Sequence, residues 1–231
     1  MDIRYLGHSA FQFKVGERCI LVDPYVKQND KYDWHAENIT DIFVTHGHAD
    51  HVGDTIEIAR EKGSTVSAVV ELASYFSNQG LTTNRVNFGS WLNYPWGRAI
   101  FVPAFHSNSL PDGGYAGEAA GIIFDIEGVR IYHAGDTALT SEMKLIKELY
   151  HPTIALLPIG GHYTMDVVHA AVAAEWLGAK TVIPMHYNTF PEIKADLETF
   201  YKLVNMNNTG CLILNPDEVP LQGQPEPQPQ A

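Results

Sequence analysis

The stretch IFVTHGHADHVGD, residues 42–54, joins a short apolar run to a helical pattern through a loop with three histidines and two aspartates. The run IFV is typical of a buried strand, and VGDTIEIAREKG, residues 52–63, predicts a helix that ends at Gly63. TVSAVV, residues 65–70, predicts the next strand. The stretch therefore predicts a β-α-β unit whose first loop is rich in candidate metal ligands.

Strands followed by helices occur twice along the chain. Before the opening stretch, IRYLG, AFQFKV and CILVD predict a meander of three strands. In the second half, a hairpin that turns at Glu127-Gly128 is followed by alternating helices and strands, and PEIKADLETFYKLV predicts a last helix with Pro191 at its start. Two successive groups of strands followed by helices predict an α/β fold of two stacked sheets with helices outside.

The chain has 231 residues, of which 45% are hydrophobic, enough for one large core. We predict a single domain over residues 1–217. Residues 218–231 belong to a Pro/Gln-rich end, PLQGQPEPQPQA, that has almost nothing to bury. This segment is predicted to be a disordered tail.

The formal net charge of -12 and the absence of a Lys/Arg run disfavour nucleic-acid binding. No apolar run approaches the roughly 20 residues that span a bilayer, and the N-terminal residues lack a secretory pattern. We therefore expect a cytoplasmic protein whose partner is a small-molecule substrate, with no membrane contact. Trp91, Tyr94 and Trp96 could belong to the core or to a contact in a homo-oligomer, and the sequence leaves both open.

Four histidines follow apolar, strand-like runs: His46, His106, His133 and His186. Side chains at the carboxyl ends of neighbouring strands in an α/β sheet converge on one crevice. A lone histidine is usually a polar or surface residue. The same position at four strand ends predicts one shared site.

Within the loop, His46 and His48 are two residues apart, so in an extended segment they project to the same side. Asp50 and His51 follow directly. Three imidazoles and a carboxylate suit zinc, and also manganese, iron or nickel. The joint arrangement predicts a metal site.

The pattern HxHxDH at residues 46–51 resembles the hallmark of the metallo-β-lactamase superfamily, and the resemblance extends over residues 1–215. It implies a four-layer αββα sandwich of two mixed sheets with helices on the outer faces. It also implies two divalent metal ions, with Zn²⁺ as first choice and Mn²⁺, Ni²⁺ or Fe²⁺ as alternatives. The resemblance assigns the first ion to His46, His48 and His106, the second ion to Asp50, His51 and His186, the bridge between them to Asp136, and support of the loop to Asp23.

The segments GHSAF, HAGDT and PIGGHYTM resemble more narrowly the small stand-alone branch of that superfamily. Its members are described as metal-dependent hydrolases, and the branch is similar to the ascorbate-6-phosphate lactonase group.

Two divalent ions, two carboxylates and a bridging hydroxide would leave the site with a charge of about +1, which favours an anionic substrate. A divalent ion lowers the pKa of bound water to about 7 and so supplies hydroxide at neutral pH. The predicted reaction is hydrolysis of a lactone, ester or phosphoester bond in a small anionic metabolite. Asp136 would hold the two ions at the right distance from each other, and Asp50 would orient the nucleophile. The sequence assigns no general acid for the leaving group. The alternatives are a phosphodiesterase acting on a cyclic nucleotide or lipid, and a non-catalytic sensor of metal or metabolite.

Three more histidines are candidates for support or substrate contact. His8 follows a glycine turn and is open to two interpretations, a substrate contact or proton donor, or a structural hydrogen bond. His133 is expected to orient a ligand, and His162 lies at the entrance or in a plain loop.

Overall fold

Two seven-stranded β-sheets form the centre of the fold in a computed structural model, which describes residues 1–207, 209–216 and the backbone of 221–222. In chain order the strands are β1 (Asp2–Gly7), β2 (Ala10–Val15), β3 (Arg18–Val22), β4 (Ile39–Phe43), β5 (Thr65–Val69), β6 (Thr83–Val86), β7 (Leu92–Tyr94), β8 (Gly97–Pro103), β9 (Ala120–Ile126), β10 (Val129–His133), β11 (Ile154–Pro158), β12 (Thr181–Met185), β13 (Gly210–Cys211) and β14 (Leu221–Gln222).

Six α-helices are interspersed with these strands in the described residues. They are α1 (Ala49–Val52), α2 (Thr55–Lys62), α3 (Val70–Asn78), α4 (Glu142–Tyr150), α5 (Val167–Leu177) and α6 (Leu197–Met206), with 3₁₀ turns at Trp34–Ala36 and Pro191–Ile193. Helices α2 and α3 pack on the first sheet, and α5 and α6 on the second. No helix of this described part is both long and apolar enough to cross a membrane.

The two sheets have the same plan. The first has the order β14-β1-β2-β3-β4-β5-β6, and the second β13-β12-β11-β10-β9-β8-β7. In the first sheet β1, β2 and β3 are antiparallel and β3 to β6 are parallel. In the second, β7 to β10 are antiparallel and β10 to β13 are parallel. The predicted α/β sandwich of two mixed sheets with outer helices is confirmed.

The core between the sheets is largely aromatic. Phe124 of the second sheet packs against Phe13 and Phe43 of the first, with ring centroids 5.1 and 5.0 Å apart. Trp96 is buried and stacks on Tyr94, whereas Trp91 is partly buried against the core. This aromatic segment therefore contributes to the core of its own chain.

Two local predictions were wrong. The helix expected over residues 52–63 is divided into α1 and α2, because Gly53 has a φ of 46° and a Cβ there would lie 2.5 Å from the Pro24 carbonyl oxygen. Pro191 begins a 3₁₀ turn, and α6 begins six residues later, after its N-cap Asp196.

The predicted tail, residues 218–231, lies outside the described residues except for β14. The backbone of β14 pairs with β1 in antiparallel register, Ile3 opposite Leu221.

Candidate metal centre

Seven predicted ligand side chains lie together just beyond the ends of four strands. They are His46, His48, Asp50 and His51 after β4, His106 after β8, Asp136 after β10 and His186 after β12. β8, β10 and β12 run in the same direction within the second sheet, so their carboxyl ends meet at one edge. The topology therefore brings residues that are far apart in sequence to one place.

His46, His48 and His106 form the first group. His48 Nδ1 lies 3.0 Å from His46 Nε2 and 3.3 Å from His106 Nε2. Ligand atoms that surround one zinc ion tetrahedrally at about 2.0–2.1 Å lie about 3.4 Å from one another. The three nitrogens therefore have the spacing of ligands to one ion.

The second group consists of Asp50, His51, His186 and also His8. Asp50 Oδ2 lies 3.8 Å from His186 Nε2 and 3.0 Å from His8 Nε2. One ligand atom from each of the four residues lies within 4.8 Å of the others. The Asp50 carboxylate and the ring nitrogens of His51 and His186 could therefore surround a second ion, with His8 beside Asp50.

Asp136 lies between the two groups. Its Oδ2 is 3.6 Å from His106 Nε2 in the first group and 3.0 Å from His186 Nε2 in the second, and its Oδ1 is 3.3 Å from His51 Nε2. The carboxylate is buried, with 3% of its surface exposed. Its position is the one that a bridging ligand would take.

Asp23 determines which ring nitrogens of His46 and His51 face the centre. The carboxylate accepts from His51 Nδ1 at 2.7 Å and from the Thr45 hydroxyl at 2.7 Å. Because that hydroxyl donates to Asp23, its oxygen can accept from His46 Nδ1, which lies 3.1 Å away. Both histidines thus present Nε2 to the other candidate ligands, the arrangement in which a carboxylate orients a metal-binding imidazole.

Two glycines permit the close packing of these loops. A Cβ at Gly47 would lie 2.7 Å from the Ser109 carbonyl oxygen, and one at Gly135 would lie 2.5 Å from the Ala120 carbonyl oxygen. Gly135 also has a φ of 60°, a conformation that glycine adopts without strain. Larger residues would displace His46 and His48, or Asp136.

The histidines of the first group and His186 of the second group differ in protonation. Burial lowers the pKa of His46, His48 and His106, so these rings are neutral and keep a lone pair for a metal. Burial also lowers the pKa of His186, but the charge of Asp136 and the hydrogen bonds to Asp136 and Asp50 together outweigh burial and raise the pKa to about 9. In the second group a metal ion must therefore displace a proton.

The residues present fit a metal centre. His51 Nε2 and Asp136 Oδ1 are buried and face each other, yet within the described part of the chain neither has a hydrogen-bonding partner. Buried polar atoms without partners are costly, and a cation placed between these two would satisfy both. Imidazole nitrogens with carboxylates are also the donors that zinc and other first-row ions accept. The assignment of each ligand to an ion stays a prediction.

The supporting histidines have different positions. His8 is buried in the second group, between Asp50 and Thr189. His133 lies 2.9 Å from the Ser9 carbonyl oxygen and accepts from the Gly135 backbone, so it orients the backbone beside Asp136 and not a ligand side chain. His162 is in an exposed turn, its ring edge-on to Tyr163.

Three polar residues of the site were absent from the sequence prediction. They are Thr45, Asn108, whose side-chain oxygen accepts from the Gly47 backbone at 2.7 Å, and Thr189. Thr45 could have been suspected because it precedes His46 directly. Asn108 and Thr189 act through contacts across the fold, for which the local sequence contains no signal.

Comparison with known proteins supports these observations. The family model of the beta-lactamase superfamily domain matches residues 2–186. A UPF0173 metal-dependent hydrolase of Geobacillus thermodenitrificans is 46% identical over 210 residues, which cover 88% of this chain and 93% of the relative. Another from Bacillus cereus is 43% identical over 220 residues, with 92% and 96% covered.

Solved structures agree with the sequence relatives. Igni18, a novel metallo hydrolase from the archaeon Ignicoccus hospitalis, superposes with a TM-score of 0.87 at 35% identity, covering 96% of this chain and 99% of that one. The metallo-beta-lactamase fold protein YhfI from Bacillus subtilis has a TM-score of 0.77 at 12% identity, with 96% and 99% covered, and shows the shared fold alone.

The chain therefore belongs to the metallo-β-lactamase superfamily, in its branch of small stand-alone proteins. Within that branch it groups with the UPF0173 metal-dependent hydrolases, and it is a metal-dependent hydrolase.

Zinc should stabilise the protein more as the pH rises from 6.5 toward 9. A folded-state pKa of about 9, against the ordinary 6.5, means that the protonated His186 stabilises the zinc-free protein fully below pH 6.5, and that this contribution is lost as the pH rises through 9. Zinc requires the neutral ring, so its binding improves over the same range. The melting temperatures of zinc-free and zinc-loaded protein at pH 6.5 and about pH 8.5 test this expectation.

The difference between the two melting temperatures should be larger at the higher pH. His169→Asn, a change at an exposed histidine on α5, should leave this behaviour intact. A difference that stays constant or shrinks with rising pH would contradict the assignment of His186.

Proposed function

We propose that the chain is a dinuclear hydrolase that cleaves a lactone, ester or phosphoester bond in a small anionic metabolite. The observation that carries the proposal is the position of Asp136, whose two carboxylate oxygens face histidines of both ligand groups. A mononuclear site would not need a second group of ligands on the other side of this carboxylate. Zinc is the first choice of metal, with Mn²⁺, Ni²⁺ and Fe²⁺ as alternatives.

Bound divalent ions would acidify water and polarise the carbonyl or phosphoryl oxygen of a substrate. The exposure of the candidate ligands determines how a substrate can reach the centre. His48, Asp50 and His106 are partly exposed, whereas His46 and His51 are fully buried. A substrate can therefore approach from the side of these three residues, where the Asp50 carboxylate can orient an attacking water molecule.

A cavity of about 380 Å³ adjoins the centre and suits a small substrate. His8 forms part of its wall and also contacts Asp50, so the cavity and the second ligand group share this residue. Hydroxyl and amide groups of Tyr25, Gln28 and Thr189 also line it. The volume is near the lower end of the roughly 300–1,000 Å³ common for ligand pockets. We expect this cavity to bind the polar part of the substrate that lies away from the cleaved bond.

Removal of metal should abolish hydrolysis, because the ions supply the acidified water. Protein purified without added metal is analysed for its elements, stripped with a chelator, and assayed on sugar-phosphate lactones, simple lactones, esters, thioesters and phosphodiesters. We expect about two ions per chain, activity on at least one carboxylic or phosphoric ester, loss after chelation, and recovery when zinc is restored.

The other functions correspond to different results of the same assay. Turnover limited to cyclic nucleotides or lipid phosphodiesters would favour the phosphodiesterase alternative. Tight metabolite binding without a metal-dependent product would favour a sensor, and one ion per chain at full activity would contradict the dinuclear proposal.

A further inference from the structure

Thr189 ends a chain of hydrogen bonds that leads into the second ligand group. Its hydroxyl oxygen lies 2.6 Å from His8 Nδ1, and His8 Nε2 lies 3.0 Å from Asp50 Oδ2. A carboxylate can only accept, so Nε2 of His8 carries the hydrogen. In the neutral ring Nδ1 is then an acceptor, and the Thr189 hydroxyl donates to it.

The backbone at His8 and the backbone next to Thr189 are both held in place by hydrogen bonds. His8 has a φ of 54°, and its carbonyl accepts from the His186 backbone at 2.7 Å and the Tyr5 hydroxyl at 3.0 Å. Asn188 has a φ of 57°, and its side-chain oxygen accepts from the Ala195 backbone at 3.0 Å. Such conformations in non-glycine residues persist only where the surroundings enforce them, and they cluster at functional sites.

The ring of His8 packs against the rings of Tyr25, His186 and Phe190, and these contacts do not distinguish its nitrogen atoms from its carbon atoms. The terminal torsion of a histidine is broad and nearly two-fold, so a hydrogen bond at one ring nitrogen decides which nitrogen faces the other partner. We propose that Thr189 is a positioning residue, which orients the His8 ring so that His8 in turn holds Asp50 in place for the second metal ion. The series of hydrogen bonds from Thr189 through His8 to Asp50 does not include the first ligand group.

Thr189 is exposed, and it lines the cavity beside the centre. Substitutions at exposed positions usually change stability little, so a variant here should fold. Water from the cavity can partly replace a lost hydroxyl. The expected effect is therefore at the lower end of the roughly 10–100-fold loss that follows removal of an outer partner of a metal ligand.

The test compares Thr189→Val, which removes the hydroxyl and keeps the shape, with Thr189→Ser, which keeps the hydroxyl. Stepwise titration of stripped protein with Co²⁺, followed by visible absorption, reports the two ions separately. For Thr189→Val we expect the second equivalent to bind about tenfold more weakly and the first within about twofold of wild type. Serine should restore most of the second affinity. Nitrogen NMR of the metal-free protein should show the Nε2–H form of His8 in wild type and the serine variant, and a mixture in the valine variant.

A His8→Phe background shows whether Thr189 acts through His8. There Thr189→Val should cause no further loss of the second equivalent, because the intermediate ring is absent. Equal affinities of the valine variant and wild type, or equal weakening of both equivalents, would overturn the proposal.

The role of Thr189 depends on the proposed function in one respect only, the presence of a second metal ion. Uptake of a single equivalent by wild type would count against the dinuclear hydrolase. Weakening of that equivalent in the valine variant, with reversal by serine, would still support the role of Thr189.

Discussion

Replacing Asp136 by asparagine should lower hydrolysis by about a thousandfold or more and reduce the metal content from the proposed two ions per chain to one or none. The amide keeps the size of the side chain but removes the charge that faces His51, His106 and His186. An ion contributes several kcal/mol to the transition state, and about 1.4 kcal/mol corresponds to a factor of ten in rate. Elemental analysis and steady-state kinetics on the same preparation measure both effects.

Asp125→Asn is the matched control for this change. Asp125 is also a largely buried aspartate of the second sheet, but it pairs with Arg98 at 2.7 Å and lies in β9. Its variant should keep both ions and nearly all activity. Native activity with full metal dependence in Asp136→Asn would show that Asp136 does not bridge.

The grouping of the candidate ligands was predictable because their signals are local or follow the strands. His46, His48, Asp50 and His51 lie within six residues, and the other candidates follow apolar runs that are strands in the structure. The two mixed sheets were predictable for the same reason, since alternation and helical periodicity are visible within short windows. Convergence of the residues that follow β8, β10 and β12 at one edge of the second sheet then follows from the strand directions.

The support of the site was less predictable, because it depends on contacts between distant segments. Thr189 and His8 are separated by 181 positions, and threonine at such a position is indistinguishable from any surface threonine. The break at Gly53 likewise results from the approach of the Pro24 carbonyl, which no helical pattern reveals. Helix ends and hydrogen-bond partners are fixed by tertiary packing, and the sequence prediction failed at these places.

Asp23 should have the largest effect on stability among the supporting residues. The carboxylate is fully buried and accepts from the Thr45 backbone at 2.8 Å, the Thr45 hydroxyl and His51 Nδ1. Asp23→Ala leaves all three donors buried without their acceptor. Removing one partner of a buried charged pair costs about 3–5 kcal/mol, a large share of the roughly 5–15 kcal/mol that stabilises a folded protein.

For Asp23→Ala we expect the free energy of unfolding of the metal-free protein to fall by about 3 kcal/mol. In a chain of this size that corresponds to a melting temperature lower by roughly 6–12 °C. Denaturant unfolding followed by circular dichroism measures the change. Asp41→Ala is the control, because Asp41 is also a buried acceptor but lies away from the metal centre. Its carboxylate accepts from Trp96 Nε1 at 3.0 Å and from the Thr40 hydroxyl at 2.7 Å. It should lose stability while keeping metal affinity.

Asp23→Asn separates charge from shape at the same position. Asparagine tolerates the φ of 45° observed there, so the backbone should persist. Its amide retains one acceptor oxygen for Thr45, but the amide nitrogen would meet the Nδ1 hydrogen of His51. The ring avoids that clash by moving its hydrogen to Nε2, the atom that faces Asp136. Metal affinity should then fall by about 10–100-fold with a smaller loss of stability than in Asp23→Ala. Unchanged metal affinity in Asp23→Asn would mean that Asp23 supports the loop only mechanically and does not set the tautomer of His51.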